Sequence, residues 1–135
     1  MIRSAVSVVA LAALSTVPAL AAPTTLVATL DAANEPDGGD AKGSGTFTVE
    51  VDPDAGDFCY TLKQKGLVPT MAHVHTGAVG VSGPPVVTIA VADDECVAVE
   101  PDVLRPIVAN PEGYYVNIHT AAFPKGAVRG QLKKK

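Results

Sequence analysis

Between Gly45 and Leu62 apolar and polar residues alternate with a period of two, broken once. Phe47, Val49 and Val51 fall on one side of the first segment, and Thr46, Thr48 and Glu50 on the other. Phe58, Tyr60 and Leu62 repeat the pattern in the second. Side chains alternate between faces in a strand, whereas a helix would scatter these residues around its axis. The break reads Asp52-Pro53-Asp54-Ala55-Gly56. Proline fixes φ early in a turn and glycine permits a positive φ late in it. Residues 46–63 therefore predict a β-hairpin.

The same idiom recurs to the end of the chain, where glycine and proline separate short extended runs. Leu26 to Leu30 predicts a strand, and Asn34 to Gly45 a loop rich in Gly, Asp and Pro. Met71 to Thr76 predicts another strand, followed by a glycine- and proline-rich loop from Gly77 to Pro85. Val86 to Val91 reads as an apolar run that suits a buried strand. Asp93-Asp94-Glu95 turns the chain, and Cys96 to Val99 continues extended. Pro101 to Ala109 is the one helical candidate, with Asp102 as cap and Val103, Leu104, Ile107 and Val108 on one face. Pro106 limits it to a turn or two. Tyr114 to Thr120 is a strand, Phe123-Pro124-Lys125-Gly126 a turn, and Ala127 to Leu132 closes the domain. The fold class expected is all-β: an antiparallel, Greek-key-like sandwich or barrel of about seven to eight strands, with one short helical turn near 102–109.

The first 21 residues stand apart. Met1-Ile2-Arg3 is a short positive start, Ala5 to Leu20 is mostly apolar, and Ala19-Leu20-Ala21 is a small-x-small cleavage site. This is the pattern of a secretory signal peptide, cut after Ala21. Residues 22–135 then form one domain, secreted or periplasmic, with no later run long enough to span a bilayer. Losing Arg3 lowers the basic count from 10 to 9 against 14 acidic residues, and the net charge from −4 to −5. An acidic chain is a poor partner for nucleic acid or an anionic membrane. Lys133-Lys134-Lys135 is the one basic run and reads as a solvated end. Cys59 and Cys96 are an even pair in an oxidising compartment, which predicts a disulfide. Two thiols acting as soft metal ligands are the weaker reading. A monomer or homodimer is expected.

The three histidines carry the chemistry. His73 and His75 lie two apart in a predicted strand and so share a face, with Met71 beside them. Ala72 and Val74 point the other way. In Tyr115-Val116-Asn117-Ile118-His119, Val116 and Ile118 share one face, and Tyr115, Asn117 and His119 the other. If Val74, Val116 and Ile118 face the core, and if the two strands are neighbours, the three imidazoles meet on the outer face. Three imidazoles suit Cu, Zn, Ni or Fe, and a thioether from Met71 would favour Cu(I). Asn117 or backbone carbonyls would orient the rings from behind. The competing reading has the histidines hydrogen-bonding neighbouring loops to hold the sheet together. Elsewhere the chemistry is thin. Ser44 and Ser82 lie in plain loops without a nucleophile elbow, and Glu35 sits in a loop with no visible partner.

Two blocks carry a family resemblance. The first runs Phe58-Cys59-Tyr60-Thr61-Leu62, Ala72-His73-Val74-His75-Thr76-Gly77, Gly80, Gly83-Pro84 and Val86-Val87. The second runs Asn110-Pro111, Gly113 to Thr120, Phe123-Pro124, Gly126 and Arg129-Gly130-Gln131-Leu132. Together they resemble the CHRD domain, the module named after chordin, over nearly the whole of residues 22–135. The resemblance implies a secreted all-β domain, and the three histidines fall within its motif blocks. Members often read Glu-Val-Pro-Pro where this chain has Glu35-Pro36-Asp37. His73-Val74-His75 is also similar to the copper strand of copper-zinc superoxide dismutases, but the other ligands and the guiding arginine have no counterpart, so dismutase activity is not expected.

Two functions follow as expectations. One is an exported metal-binding protein, with copper first and zinc second, using His73, His75, His119 and optionally Met71, and buffering or carrying the ion rather than catalysing. The other is an interaction module for an extracytoplasmic protein or glycan, with structural histidines and with Tyr114, Tyr115 and Arg129 as surface anchors.

Overall fold

The computed structural model describes residues 22–135; the signal-peptide reading of residues 1–21 lies outside them. Strands β1 (Thr24–Asp31), β2 (Ser44–Asp52) and β3 (Asp57–Lys65) form an antiparallel meander. The β2–β3 hairpin is the one that the alternation predicts: Phe47, Val49, Val51, Phe58, Tyr60 and Leu62 are all buried. Its turn is set by Asp52, whose carboxylate accepts from the amides of Asp54 and Ala55 at 3.0 and 3.1 Å. Gly56 closes it with φ 77°, a conformation open to glycine.

The chain continues through β4 (Pro69–Thr76), β5 (Pro85–Ile89), β6 (Glu95–Ala98), helix α1 (Pro101–Ala109), β7 (Tyr114–Thr120), β8 (Val128–Gln131) and the two-residue β9 (Lys133–Lys134). The strands form one antiparallel sheet in the order β5-β4-β7-β8-β1-β2-β3-β6, with β9 on β1. The sheet curls into a nearly closed barrel. Across the gap between its edges, the Leu62 amide donates to the Ala92 carbonyl at 2.9 Å, and the Ala90 amide donates to the Tyr60 hydroxyl at 2.8 Å. One apolar core fills the interior, including Leu26, Leu30, Val74, Val116 and Ile118. Among the described residues no helix is long and apolar enough to cross a membrane.

Four local expectations change. Residues 86–91 form no fully buried strand. β5 is an edge strand that buries Val87 and Ile89 while Thr88 faces out, because side chains alternate and only one face of the sheet meets the core. Helix α1 has Glu100, not Asp102, at its N-cap position, without a side-chain cap bond, and Pro101 at its first position, where a missing amide costs nothing. It runs nine residues, through Pro106. The bond that this proline forgoes would go to the carbonyl of exposed Asp102, and burial of Leu104 and Ile107 holds the helix regardless. The lysine tail is tethered: Lys133 and Lys134 pair with Val27 and Leu26, while their side chains stay exposed.

Cys59 and Cys96 form the expected disulfide, between directly opposed residues of β3 and β6. It ties a four-residue edge strand to the meander.

Candidate metal centre

The condition set by the sequence is met: β4 and β7 are antiparallel neighbours. Ala72 pairs with Ile118 and Val74 with Val116, and all four are buried in the core. The alternate positions then pair on the other face: Met71 with His119, His73 with Asn117, and His75 with Tyr115. Cross-strand partners share a face, so the two strands deliver all three imidazoles to one place.

Away from Met71 and His73, that face is closed to solvent. His75 is 8% exposed, His119 6%, Asn117 2% and Tyr115 2%. The Gly- and Pro-rich loops, read as plain connections, fold over it and form a second, polar interior outside the barrel core. Each loop is held by a histidine. His75 Nδ1 lies 2.9 Å from the Gly83 carbonyl, and His119 Nδ1 lies 3.0 Å from the Pro124 carbonyl. A carbonyl can only accept, so both Nδ1 atoms carry a proton, and in the neutral tautomer this leaves the lone pair on Nε2. The expectations of a structural role and of a ligand role thus fall on different nitrogens of the same rings.

His73 completes the group, its Nδ1 3.1 Å from His119 Nε2. One nitrogen from each of the three rings lies within 4.8 Å of the others. Nitrogens around a zinc-sized ion at about 2.0–2.1 Å stand a little over 3 Å apart, so the rings must draw together to hold one. Burial lowers the pKa of His73, helped by the neighbouring charges that His119 and His75 would carry. Burial also lowers that of His75, against the Gly83 carbonyl and Asn117, which pull it back up. Neutral imidazole is the form that binds a metal. Met71 lies on the same face opposite His119, half exposed, on the wall of an open groove of ≈ 570 Å³ that also touches His73 and Thr88.

The proposed surface anchors are relocated. Tyr115 and Arg129 are each only 2% exposed, and Tyr114 is partly buried against the core. His75 stacks on the Tyr115 ring, with centroids 4.9 Å apart and planes 6° apart. The Arg129 guanidinium lies 4.1 Å from the centre of the same ring. Its Nε and Nη2 donate to the carbonyls of Asn34 and Val81 at 2.9 and 3.2 Å. These two residues wall the centre and fasten its loops. The loops cover both side chains.

Glu35 is the residue that the sequence reading passed over. It is 9% exposed, and Gly126 makes room for it: a Cβ there would collide with the Glu35 carboxylate. Burial raises its pKa, opposed by the charge of Arg129 and by Asn117, and assisted by Asp37. The signal lay in Gly126 of the 123–126 turn, but its contact with Glu35 exists only in three dimensions.

A family model, that of the CHRD domain, matches residues 26–132. No curated protein and no solved structure matches the chain.

Proposed function

For a chain that belongs to the CHRD-domain family, we propose the role of an exported metal-binding protein that holds one ion, copper before zinc, on His73, His75 and His119. The observation that carries this reading is the pair of fixed tautomers. Gly83 and Pro124 take the Nδ1 protons of His75 and His119, which leaves their Nε2 lone pairs beside His73. His75 Nε2 is buried and has no hydrogen-bond partner. An unmet buried acceptor is unfavourable, and an ion relieves it. Carbonyl-oriented imidazoles are the usual support of a metal ligand.

Imidazole suits copper and zinc alike; the nearby thioether of Met71 and the exposed groove beside His73 favour copper and give it a path in. Export is supported by the signal-like residues 1–21 and by the disulfide, which oxidising compartments maintain. Holding and carrying suit a centre walled by loops better than turnover does. The test is calorimetric titration of residues 22–135 with Cu(II) and Zn(II), beside the H73A/H75A variant. One ion per chain, lost in the variant, is expected. An absence of binding in the wild type sinks the reading.

A further inference from the structure

Three buried acceptors, linked in space through Asn117, make no hydrogen bond: His75 Nε2, Asn117 Oδ1 and Glu35 Oε1. Their residues are 8%, 2% and 9% exposed. Buried acceptors are nearly always satisfied, so three together point to something that brings positive charge and hydrogens. The ion of the preceding section, on which this inference rests, answers the first. It cannot answer the other two through the histidines alone.

Asn117 is placed to link the groups. It pairs with His73 in the ladder and shares a face with His119, two residues along β7. It lies within polar reach of both His75 and Glu35. Glu35 is brought over it by a loop fixed at both ends of one reciprocal contact: Arg129 Nε donates to the Asn34 carbonyl, and Asn34 Nδ2 donates to the Arg129 carbonyl at 3.0 Å. Arg129 offsets the Glu35 charge only from a distance: its hydrogen bonds go to carbonyls, and no ion pair forms between the two within 4.0 Å. A buried carboxylate without an ion pair or a hydrogen bond to one oxygen is costly to keep.

An ion held by three imidazoles has a fourth position. A water there carries two hydrogens, and two oxygen acceptors remain. We infer that the centre takes a divalent ion with a water as its fourth ligand, and that Asn117 Oδ1 and Glu35 Oε1 accept the two hydrogens of that water. The donor set becomes three imidazoles and one oxygen, which is the chemistry of Cu(II) or Zn(II). Cuprous ion would instead draw in the Met71 thioether. Glu35 and Asn117 are positioning residues here, because they touch the water and not the ion.

The experiment uses residues 22–135 loaded with one equivalent of Cu(II), exchanged into D₂O and measured by pulsed EPR. A strongly coupled deuteron pair from a bound water is expected in the wild type. Glu35→Leu, checked for folding by circular dichroism, is expected to bind Cu(II) about tenfold more weakly and to lose that signal, as outer-shell changes at metal sites do. Glu35→Gln keeps an acceptor oxygen and is expected to retain the signal. Copper bound without the deuteron signal overturns this inference and leaves the three-histidine reading standing. Glu35→Leu with unchanged affinity and signal overturns the part assigned to Glu35. Failure of the wild type to bind copper removes both. The wild-type spectrum decides the water by itself, whether or not the leucine variant folds.

Discussion

His75 has two ring nitrogens with different tasks. Nδ1 fastens the loop at Gly83, and Nε2 is left bare beside His119 and His73. Burial lowers the pKa of His73 and His75 below the ordinary 6.5. Two outcomes follow in opposite senses. Protons compete with the ion only once these imidazoles titrate, so their lowered values should keep metal affinity level from about pH 8 through 6.5, with the fall coming only below that as those values are reached; calorimetry at stepped pH checks it. The metal-free fold should behave differently. Unfolded histidine gains its proton near 6.5 while the folded residues still resist, so stability falls as pH drops from 6.5 through their lowered values. Urea denaturation at pH 7.5 and 5.5 should show a loss in the wild type that is smaller in H73A/H75A. Glu35 has the reverse sign. Its pKa is raised, so the fold loses stability as pH climbs from 4.5 through the raised value. Replacing it by Gln should stabilise the metal-free protein at pH 7 by roughly 1 kcal/mol, the scale of one buried polar group.

At the scale of elements, strand register makes the centre and loops close it. The His-x-His pair was legible because a period of two can only place both residues on one face. His119 could be added only conditionally, since strand order is not written in any local pattern. β4 and β7 meet through the crossover that carries α1, and that choice is made by the packing of Val74, Val116 and Ile118 in the core. Tyr115 and Arg129 are expected as interface anchors because aromatic and arginine side chains dominate such surfaces. Nothing in their own strands reveals the loops that cover them. Glu35 was illegible for the same reason, its burial depending on Gly126 far along the chain. Gly126 has φ 144° and no space for a Cβ. Gly126→Ala should lower stability by about 1–3 kcal/mol through backbone strain and displace Glu35, with metal affinity falling alongside. Thermal denaturation with and without Zn(II) separates the two effects.

The whole molecule is a curled sheet whose last edge strand is short. β6 has four residues and one neighbour, and the disulfide to Cys59 reinforces its short ladder with β3. Cys59→Ser with Cys96→Ser should cost about 3–4 kcal/mol by the loop-entropy estimate, read as a lower urea midpoint. Metal stoichiometry should stay unchanged, because neither cysteine belongs to the histidine cluster. Loading the ion should also stabilise the barrel as a unit, by about 2.7 kcal/mol at a free-ion concentration a hundred times the Kd. The loops that hold the histidines are tied to β1, β4, β7 and β8 together, so the centre and the fold share their contacts.

The most direct measurement is the imidazole nitrogen spectrum of ¹⁵N-labelled residues 22–135 by long-range ¹H–¹⁵N NMR, before and after one equivalent of Zn(II). The account predicts that His75 and His119 carry their proton on Nδ1 in the metal-free protein. Their Nε2 signals, and one nitrogen of His73, should move on zinc addition while both Nδ1 protons remain. Rings protonated on Nε2, or three sets of signals unmoved by zinc, would contradict it.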